Sequence, residues 1–482
     1  MEHTIITFRE AIWSVPMIML CIGAGLLFSV STRFLQIRYI KEMLNQIISS
    51  KSSAAGISPF QSLLLSLSGR LGTGNIAGVA TALISGGPGA LFWMWVIAFL
   101  GAGSAFAEST LGQIYKTKEK GEYRGGPAHY IEKGLGEKWK WYAVLFSMAS
   151  LLAYTVFMPG LQANTITMSM ETAFGIPPAA MGMAMVISLI FIIKGGIKGF
   201  ARFSEVVIPF MSVGYLLVAW IIIGINFRQI PDIFMLVIRS ALGMEELFAG
   251  MLGSAINYGI RRGVFSTEAG MGSQVSASAA AETDHPAKQG LVQAFSIYID
   301  TFMVNTATGF MLLMTGMYNV IAPTGEVLVN NLPHLRGDSG AEYTIYAIDS
   351  VFVGWGSAIT AIVVFLFAFT IFVSHYYIAE TNLIYVTKGT QTKGMLLILQ
   401  IIFLTTIFQG SIASSTMAWA MADIGVGISV WLNLIAILLL YKPVILCFKD
   451  YERQYKEGKN PVFNAKAAGI ENADFWDGKR KL

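Results

Sequence analysis

Charge is the first thing this chain is short of. Asp, Glu, Lys and Arg make up 13% of its 482 residues, about half the share of an ordinary soluble domain. Hydrophobic residues make up 54%, and the mean hydropathy is +0.60. Stretches such as 141–166 and 424–440 carry almost no charge, and short basic islands separate them. Cysteine is nearly absent. Cys21 and Cys447 stand near opposite ends with no Cys-x-x-Cys pair, which excludes a disulfide framework and a cysteine zinc site. Both read as small apolar side chains in or beside a span. The five histidines, His3, His129, His285, His334 and His375, are scattered. Neither His-Glu-x-x-His nor Gly-x-Ser-x-Gly occurs, so the chain is not read as an enzyme. There is no Thr-Val-Gly-Tyr-Gly filter and no ring-forming acidic repeat, which argues against a channel. The net charge of +4 comes from loops at a membrane surface, not from a nucleic-acid-binding face. No obligatory protein partner is called for. The partner that the composition demands is a lipid bilayer.

What is present is a series of apolar runs, each long enough to approach the ~20 residues that cross hydrocarbon. Eleven spans are expected, at about 11–33, 62–85, 88–113, 140–172, 178–194, 203–226, 245–262, 290–317, 355–386, 393–417 and 425–442. The 140–172 run is either one tilted helix or a helix that ends at Pro159 and restarts. The first run is flanked by Glu2 and Glu10 rather than by a basic segment, so it is expected to be a true span and not a cleaved leader. Of the 33 Lys and Arg residues, 27 fall in one set of alternate loops and in the tail, and four fall in the other set. Basic loops stay in the cytoplasm. The N-terminus is therefore expected outside the inner (cytoplasmic) membrane and the C-terminus inside, with a polar tail after 449 on the cytoplasmic surface.

Two spans contain glycine-rich interruptions. The second holds Ser68-Gly69-Arg70-Leu71-Gly72-Thr73-Gly74-Asn75, and the seventh holds Gly250, Gly253 and Ser254, with Gly259 following. Each glycine weakens a helix by about 1 kcal/mol relative to alanine. Irregular backbone in hydrocarbon must line a protected cavity. The two spans are five helices apart and so oppositely oriented, which is the pattern of an inverted-repeat secondary transporter. The expected fold is an all-α polytopic membrane protein of the five-plus-five inverted-repeat type, with one extra N-terminal helix. Its expected divisions are residues 1–58 (accessory helix and loop), 59–226 and 227–445 (the two repeats) and 446–482 (the tail). A break presents bare N–H groups at the positive end of a half-helix and bare carbonyls at the end of the other half. These suit the carboxylate and the ammonium of an amino acid, and Na+. The alternative role for Gly72, Gly74 and Gly78 is close helix packing.

Other residues stand out against their apolar surroundings. Gln162 carries a buried amide that must bond to a ligand or across helices. Thr370, Ser374 and His375 interrupt the ninth span; Thr370 offers an oxygen to Na+, and His375 is open to three roles: pocket wall, pH sensor or interhelical bond. Arg70 and Glu268 are read as an inner-gate pair from depth alone, while Glu108 and Asp300 are expensive in lipid and therefore paired or functional.

The run Gly86-Gly87-Pro88-Gly89-Ala90-Leu91-Phe92-Trp93-Met94-Trp95, continuing to Gly101, resembles the signature of the alanine/glycine:cation symporter family. Gly72-Thr73-Gly74-Asn75-Ile76-Ala77-Gly78-Val79-Ala80 is similar to that family's broken helix. Arg262-Gly263-Val264-Phe265-Ser266-Thr267-Glu268-Ala269-Gly270-Met271-Gly272-Ser273 resembles its cytoplasmic motif, with His285-Pro286-Ala287-Lys288-Gln289-Gly290-Leu291-Val292-Gln293 behind it. The resemblance runs from about residue 10 to 445. It implies eleven helices and Na+-driven uptake of alanine, glycine or, in some members, glutamine. It places the unwound substrate segment at Thr73, Gly74 and Asn75 and the pocket glutamine at Gln162. Together these readings give an expected substrate site of Gly72, Thr73, Gly74, Asn75, Gln162, Gly253, Ser254 and His375, and expected Na+ ligands Leu71, Gly74 and Thr370. Two departures from the family stand out. His375 replaces a usual tryptophan, which opens the site to larger or polar side chains. Thr370-Ile371 replaces two adjacent threonines, which removes one hydroxyl and leaves H+ as an alternative coupling ion.

Overall fold

The computed structural model describes residues 2–48, 55–119, 121–193, 196–335, 340–388 and 392–476. Arg336, Lys51, Lys120 and Lys194, all used in the charge count, lie outside the described residues, as do 477–482 of the tail. The chain is a bundle of helices with two small antiparallel hairpins, Thr117–Glu119 with Glu122–Arg124 and Asn319–Ile321 with Val327–Asn330. Among the described residues, eight helices are long and apolar enough to cross a membrane. Segments Gly74–Gly86 and Pro178–Ile193 are shorter apolar helices. The bundle's outer band is apolar, with Trp141, Phe191, Phe210 and Trp220 exposed, as lipid contact requires and as a water-facing surface avoids.

Proline and capping residues set where helices start. Pro59 opens Pro59–Arg70 behind Ser58, whose side chain accepts from Gln61 while Gln61 reaches back; this capping box satisfies two orphan donors. Pro159 opens Pro159–Phe174 after a π-helical turn at Ala153–Phe157. The long fourth run is thus one continuous path with a wide turn, because proline in a helix's first turn costs no hydrogen bond. Gly410 lets Thr392–Ser411 press onto Pro159–Phe174: a Cβ there would lie 2.6 Å from the Gly160 carbonyl oxygen.

The first interruption falls where the sequence puts it. Pro59–Arg70 stops, Leu71 is extended (φ −75°, ψ 101°), and a π turn at Gly74–Gly78 leads into Val79–Gly86. The second interruption does not. Leu252–Thr267 is an unbroken α-helix that contains Gly253, Ser254 and Gly259. The chain unwinds over 268–274, before Val275–Ala280. Gly253 and Ser254 belong to the opening turn of this helix. The glycine at 259 serves packing: a Cβ there would lie 2.5 Å from the Ala90 carbonyl and 2.6 Å from Trp93. The unwound segment has positive φ at Glu268 (50°), Gly270 (84°) and Gly272 (75°). A left-handed glutamate is uncommon and stores strain, which functional segments tolerate.

Arg261 and Arg262, counted in the basic island 261–288, therefore lie inside a helix. The N-terminal helices, Glu2–Ile12 and Val15–Ser31, clasp Ser415–Leu439: Trp13 Nε1 donates to the Asp423 carbonyl (2.9 Å) and Trp431 Nε1 to the Ile12 carbonyl (3.2 Å). The tail is more than a solvated surface segment. Beyond Tyr441–Lys456 it folds back, with Phe463, Ala465, Ile470 and Trp476 buried; Phe463 N donates to Asp284 O (2.9 Å) and Trp476 Nε1 to Gln113 O (2.9 Å).

Candidate functional site

The first break is held open by its own asparagine. Gly72 N donates to Asn75 Oδ1 (2.7 Å), while Asn75 N donates to Gly72 O (3.1 Å). This small ring satisfies backbone groups that the interrupted helix leaves free. The Asn75 amide nitrogen points the other way, to Asp300 Oδ1 (2.7 Å), Asn305 Oδ1 (2.7 Å) and Ser266 Oγ (3.1 Å). Asp300 also accepts from Ser266 (2.9 and 3.1 Å) and Thr301 (2.8 Å). Asn75, Ser266, Asp300, Thr301 and Asn305 are all fully buried. Asp300, Thr301 and Asn305 lie on the π-helical stretch Tyr298–Asn305. The network ties the first interrupted helix to the second and to its neighbour.

On the other side of the break, Gln162 and the Gly356–Thr387 helix close in. A Cβ on Gly72 would collide with Ile371 and lie 3.6 Å from Gln162 Oε1; only glycine leaves that space. Gln162 Oε1 and Thr73 Oγ1 are buried without hydrogen-bond partners. Unpartnered buried polar atoms are costly, and these two leave unused hydrogen-bonding capacity at the break. Thr370 Oγ1 donates to Phe367 O (2.8 Å) and reaches Ser68 O (3.4 Å), the last turn before the break. A Cβ at Gly69 would lie 2.7 Å from Ser374 Oγ.

One turn further along, His375 is fully buried with its ring 5.3 Å from that of Tyr154, on the π turn of the fourth span. Its Nε2 lies 3.8 Å from Glu268 Oε1, and neither ring nitrogen has a hydrogen-bond partner. Gln274 Nε2 donates to Glu268 Oε2 (2.5 Å). Arg70 does not reach this carboxylate. It donates to Thr267 O (2.6 Å) and to Ser296, so the expected Arg70–Glu268 pair is replaced by a backbone clamp. Glu108 Oε2 pins the unwound segment by accepting from Gly272 N (3.0 Å) and from Asn433 (2.8 Å), which also donates to Gly270 O (2.9 Å).

Gly72, Thr73, Gly74, Asn75, Gln162, Thr370 and His375 thus gather about the two breaks. Gly253 and Ser254 do not: the Ser254 carbonyl lies beside Gly86, at the far end of the first interrupted helix. Sequence reasoning missed Ser266, Asn305, Gln274 and Tyr154. All are ordinary polar residues in polar or apolar runs, and only the fold makes them converge. It also missed Asp423, on which Arg262 (2.9 and 2.9 Å) and Arg261 (2.5 Å) close; Arg262 stacks 4.2 Å from the Trp419 ring centre, and Glu10 lies 3.3 Å from Arg261.

A family described as the sodium:alanine symporter family matches residues 1–465. The chain is 51% identical over 477 residues to the putative sodium/proton-dependent alanine carrier protein YrbD of Bacillus subtilis (strain 168), covering 99% of this chain and 98% of that one. It is 39% identical to the probable sodium/glutamine symporter GlnT of the same organism, covering 96% and 93%. The crystal structure of MhsT in complex with L-phenylalanine matches with a TM-score of 0.55 at 14% identity, over 82% of this chain and 99% of that one; that likeness shows the shared fold.

Proposed function

The chain belongs to the sodium:alanine symporter family, and from that premise we propose that it carries a small neutral amino acid into the cytoplasm together with Na+. Cation-coupled amino-acid symport across a membrane is the family's activity. The finer reading is ours: alanine or glycine as substrate, with glutamine or serine admitted by His375, and Na+ as the coupling ion. The observation that carries it is the break at Leu71–Thr73, where Gln162 Oε1 and Thr73 Oγ1 are left without hydrogen-bond partners and Gly72 lets Ile371 pack onto bare backbone.

In this reading the substrate carboxylate meets the N-terminal end of Gly74–Gly86, where the helix dipole favours negative charge. Na+ rests on the carbonyls of Leu71 and Gly74 and on the Thr370 hydroxyl, hard oxygen donors of the kind that the ion prefers. The buried Asp300 carboxylate, relayed by Asn75, supplies the negative potential behind it. Each ligand must raise the other's affinity by the same factor. Alternating access follows as the two repeats, 59–226 and 227–445, rock about the site, in an eleven-span cytoplasmic-membrane protein with its N-terminus outside.

The test is radiolabelled alanine uptake into liposomes, with glycine, glutamine and serine competing. Na+ is expected to drive uptake that choline does not. Asn75→Ala and Gln162→Ala should each lower it by at least tenfold in protein that still folds. Uptake unchanged in both variants removes the site.

A further inference from the structure

The two interrupted helices are fastened together where they end on the loop side. Ile57 N, just ahead of Pro59–Arg70, donates to Ala280 O (3.0 Å), and Glu282 N donates to Ile57 O (2.8 Å), a single parallel rung at the end of Val275–Ala280. The end of Gly89–Ile114 grips the same point: Gln113 Nε2 and Lys116 Nζ both donate to Ala281 O (2.9 and 3.0 Å). Residues 457–476 lie across this junction and are anchored on either side of it. On one side Phe463 N donates to Asp284 O (2.9 Å) and Lys288 Nζ to Asn460 Oδ1 (2.6 Å). On the other, Trp476 Nε1 donates to Gln113 O (2.9 Å), Asn472 Nδ2 donates to Lys133 O (3.1 Å), and Asp474 pairs with Lys133 Nζ (3.3 Å). The Lys116 ammonium lies 4.5 Å from the centre of the Phe475 ring, a cation–π contact.

We propose that residues 457–476 are a latch that holds the inward gate shut and lifts before the site opens to the cytoplasm. The inference rests on the alternating-access reading above, in which this face is cytoplasmic, and adds a control to it. Asp284 and Lys288 belong to the repeat read as 227–445, whereas Gln113 and Lys133 belong to the one read as 59–226. Rocking of one repeat against the other moves the two anchorages apart, and a segment fixed to both must let go of one. The anchorage on the first repeat also lies against the second break. Lys133 is on Pro127–Leu135, and Tyr130 of that helix donates to Asn433 Oδ1, whose Nδ2 donates to Gly270 O (2.9 Å). A Cβ on Gly272 would lie 2.5 Å from Pro127 Cγ. The tail therefore presses on the helix that covers the unwound segment 268–274.

The anchorages are of a kind that can release. The Asp474 side chain is 74% exposed and that of Lys133 25%, so parting this pair leaves both charges in reach of water. The Asp423 cluster differs, because its carboxylate has no exposure at all. The apolar part of the seat is small: Phe463, Ala465, Ile470, Ala473 and Trp476 are the buried hydrophobic residues of the segment. Burial of this size holds a strap in place without making it a permanent part of the bundle.

The experiment has two arms, both on the full-length chain with Cys21 and Cys447 replaced. In the first, Ser276→Cys reports on the gate. Ser276 is 1% exposed, and a Cβ on Gly126 would lie 3.5 Å from its Oγ, so a reagent reaches it only when Val275–Ala280 parts from the start of Pro127–Leu135. Labelling by a membrane-impermeant thiol reagent from the cytoplasmic side should be at least tenfold faster when Trp476→Ala is added. An unchanged rate overturns the proposal. In the second arm Lys133→Cys and Asp474→Cys are joined by a short bismaleimide, which ties the tail down. The joined chain should lose at least tenfold in Na+-driven alanine uptake, while either single-cysteine chain treated with the same reagent keeps its rate. A joined chain that transports at the unjoined rate overturns the proposal as well. This arm decides alone should Trp476→Ala not fold, since Lys133 and Asp474 both reach solvent. Failure of the symport reading looks different: unjoined chains show no Na+-driven alanine uptake, and the labelling arm, which needs no substrate, still reads the latch.

Discussion

Asp423→Asn removes the fully buried anion that Arg261 and Arg262 share. The carboxylate is fully buried and receives both arms of Arg262 at 2.9 Å and Arg261 at 2.5 Å. Asparagine keeps the shape, removes the charge and turns one acceptor into a donor facing a guanidinium. Two buried cations are then left with Glu10, which lies 3.3 Å from Arg261 and is half exposed. Breaking a buried pair from one side costs about 3–5 kcal/mol. The pair joins Leu252–Thr267 to Ser415–Leu439, so the cost falls on the arrangement in which those helices are closed. About 3 kcal/mol shifts a two-state equilibrium on the order of a hundredfold. A reporter introduced by Ala77→Cys, with Cys21 and Cys447 replaced, lies in the small cavity beside Trp419. Its labelling by a membrane-impermeant thiol reagent from outside should rise by at least tenfold in the Asp423→Asn background, and the Tm should fall. Adding Arg262→Met should recover part of both, because one uncompensated charge is removed and Glu10 remains for the other. Labelling and Tm unchanged by Asp423→Asn would refute the view that this cluster holds Leu252–Thr267 and Ser415–Leu439 together.

Gly410→Ala places a methyl group 2.6 Å from the Gly160 carbonyl oxygen, against backbone that cannot rotate away. It should cost about 1–3 kcal/mol, visible as a lower Tm in detergent. His285 offers a pH test on the loop side. Burial between Tyr451 and Phe463 holds its pKa below the ordinary imidazole range, although Asp450 at 3.3 Å opposes this. The docked tail therefore binds a proton less readily than the released tail. The contribution to docking is complete above the ordinary value, near 6.5, and is lost as pH falls below it. With the intrinsic pH dependence of amide exchange divided out, the protection of Phe463 N, bonded to Asp284 O, should fall between pH 7.5 and 5.5 in the wild type and lose most of that dependence in His285→Gln.

Much of the bundle could be read directly, because hydrocarbon imposes long apolar runs and the chain supplies them between Pro159, Pro178 and Pro286 as start signals. The first break was legible as well: three glycines interleaved with polar Thr73 and Asn75 weaken a helix inside a span. The second was misplaced by about two helical turns or more. Gly250, Gly253 and Gly259 looked like a weakness, but a glycine facing a neighbouring helix strengthens packing, and Gly259 lies against Ala90 and Trp93. The true break, 268–274, begins at a glutamate, and glutamate carries no signal of a left-handed backbone. The polar network about Asp300 was half legible. A buried aspartate demands partners, but which of the many serines and asparagines answer it is a matter of tertiary approach.

Three wide turns remain among the described residues, at Gly74–Gly78, Ala153–Phe157 and Tyr298–Asn305. Each accommodates one residue more than the α-helix around it. Handing that residue to the next turn along would slide the flanking segment by about 1.5 Å and swing its side chains by roughly a quarter revolution, with nearly every peptide bond still satisfied. Asn75, Tyr154 and Asp300 ride on these three sliders. A chain so equipped can re-aim these buried side chains in the oily interior of a bilayer without ever exposing a bare strand of backbone to lipid.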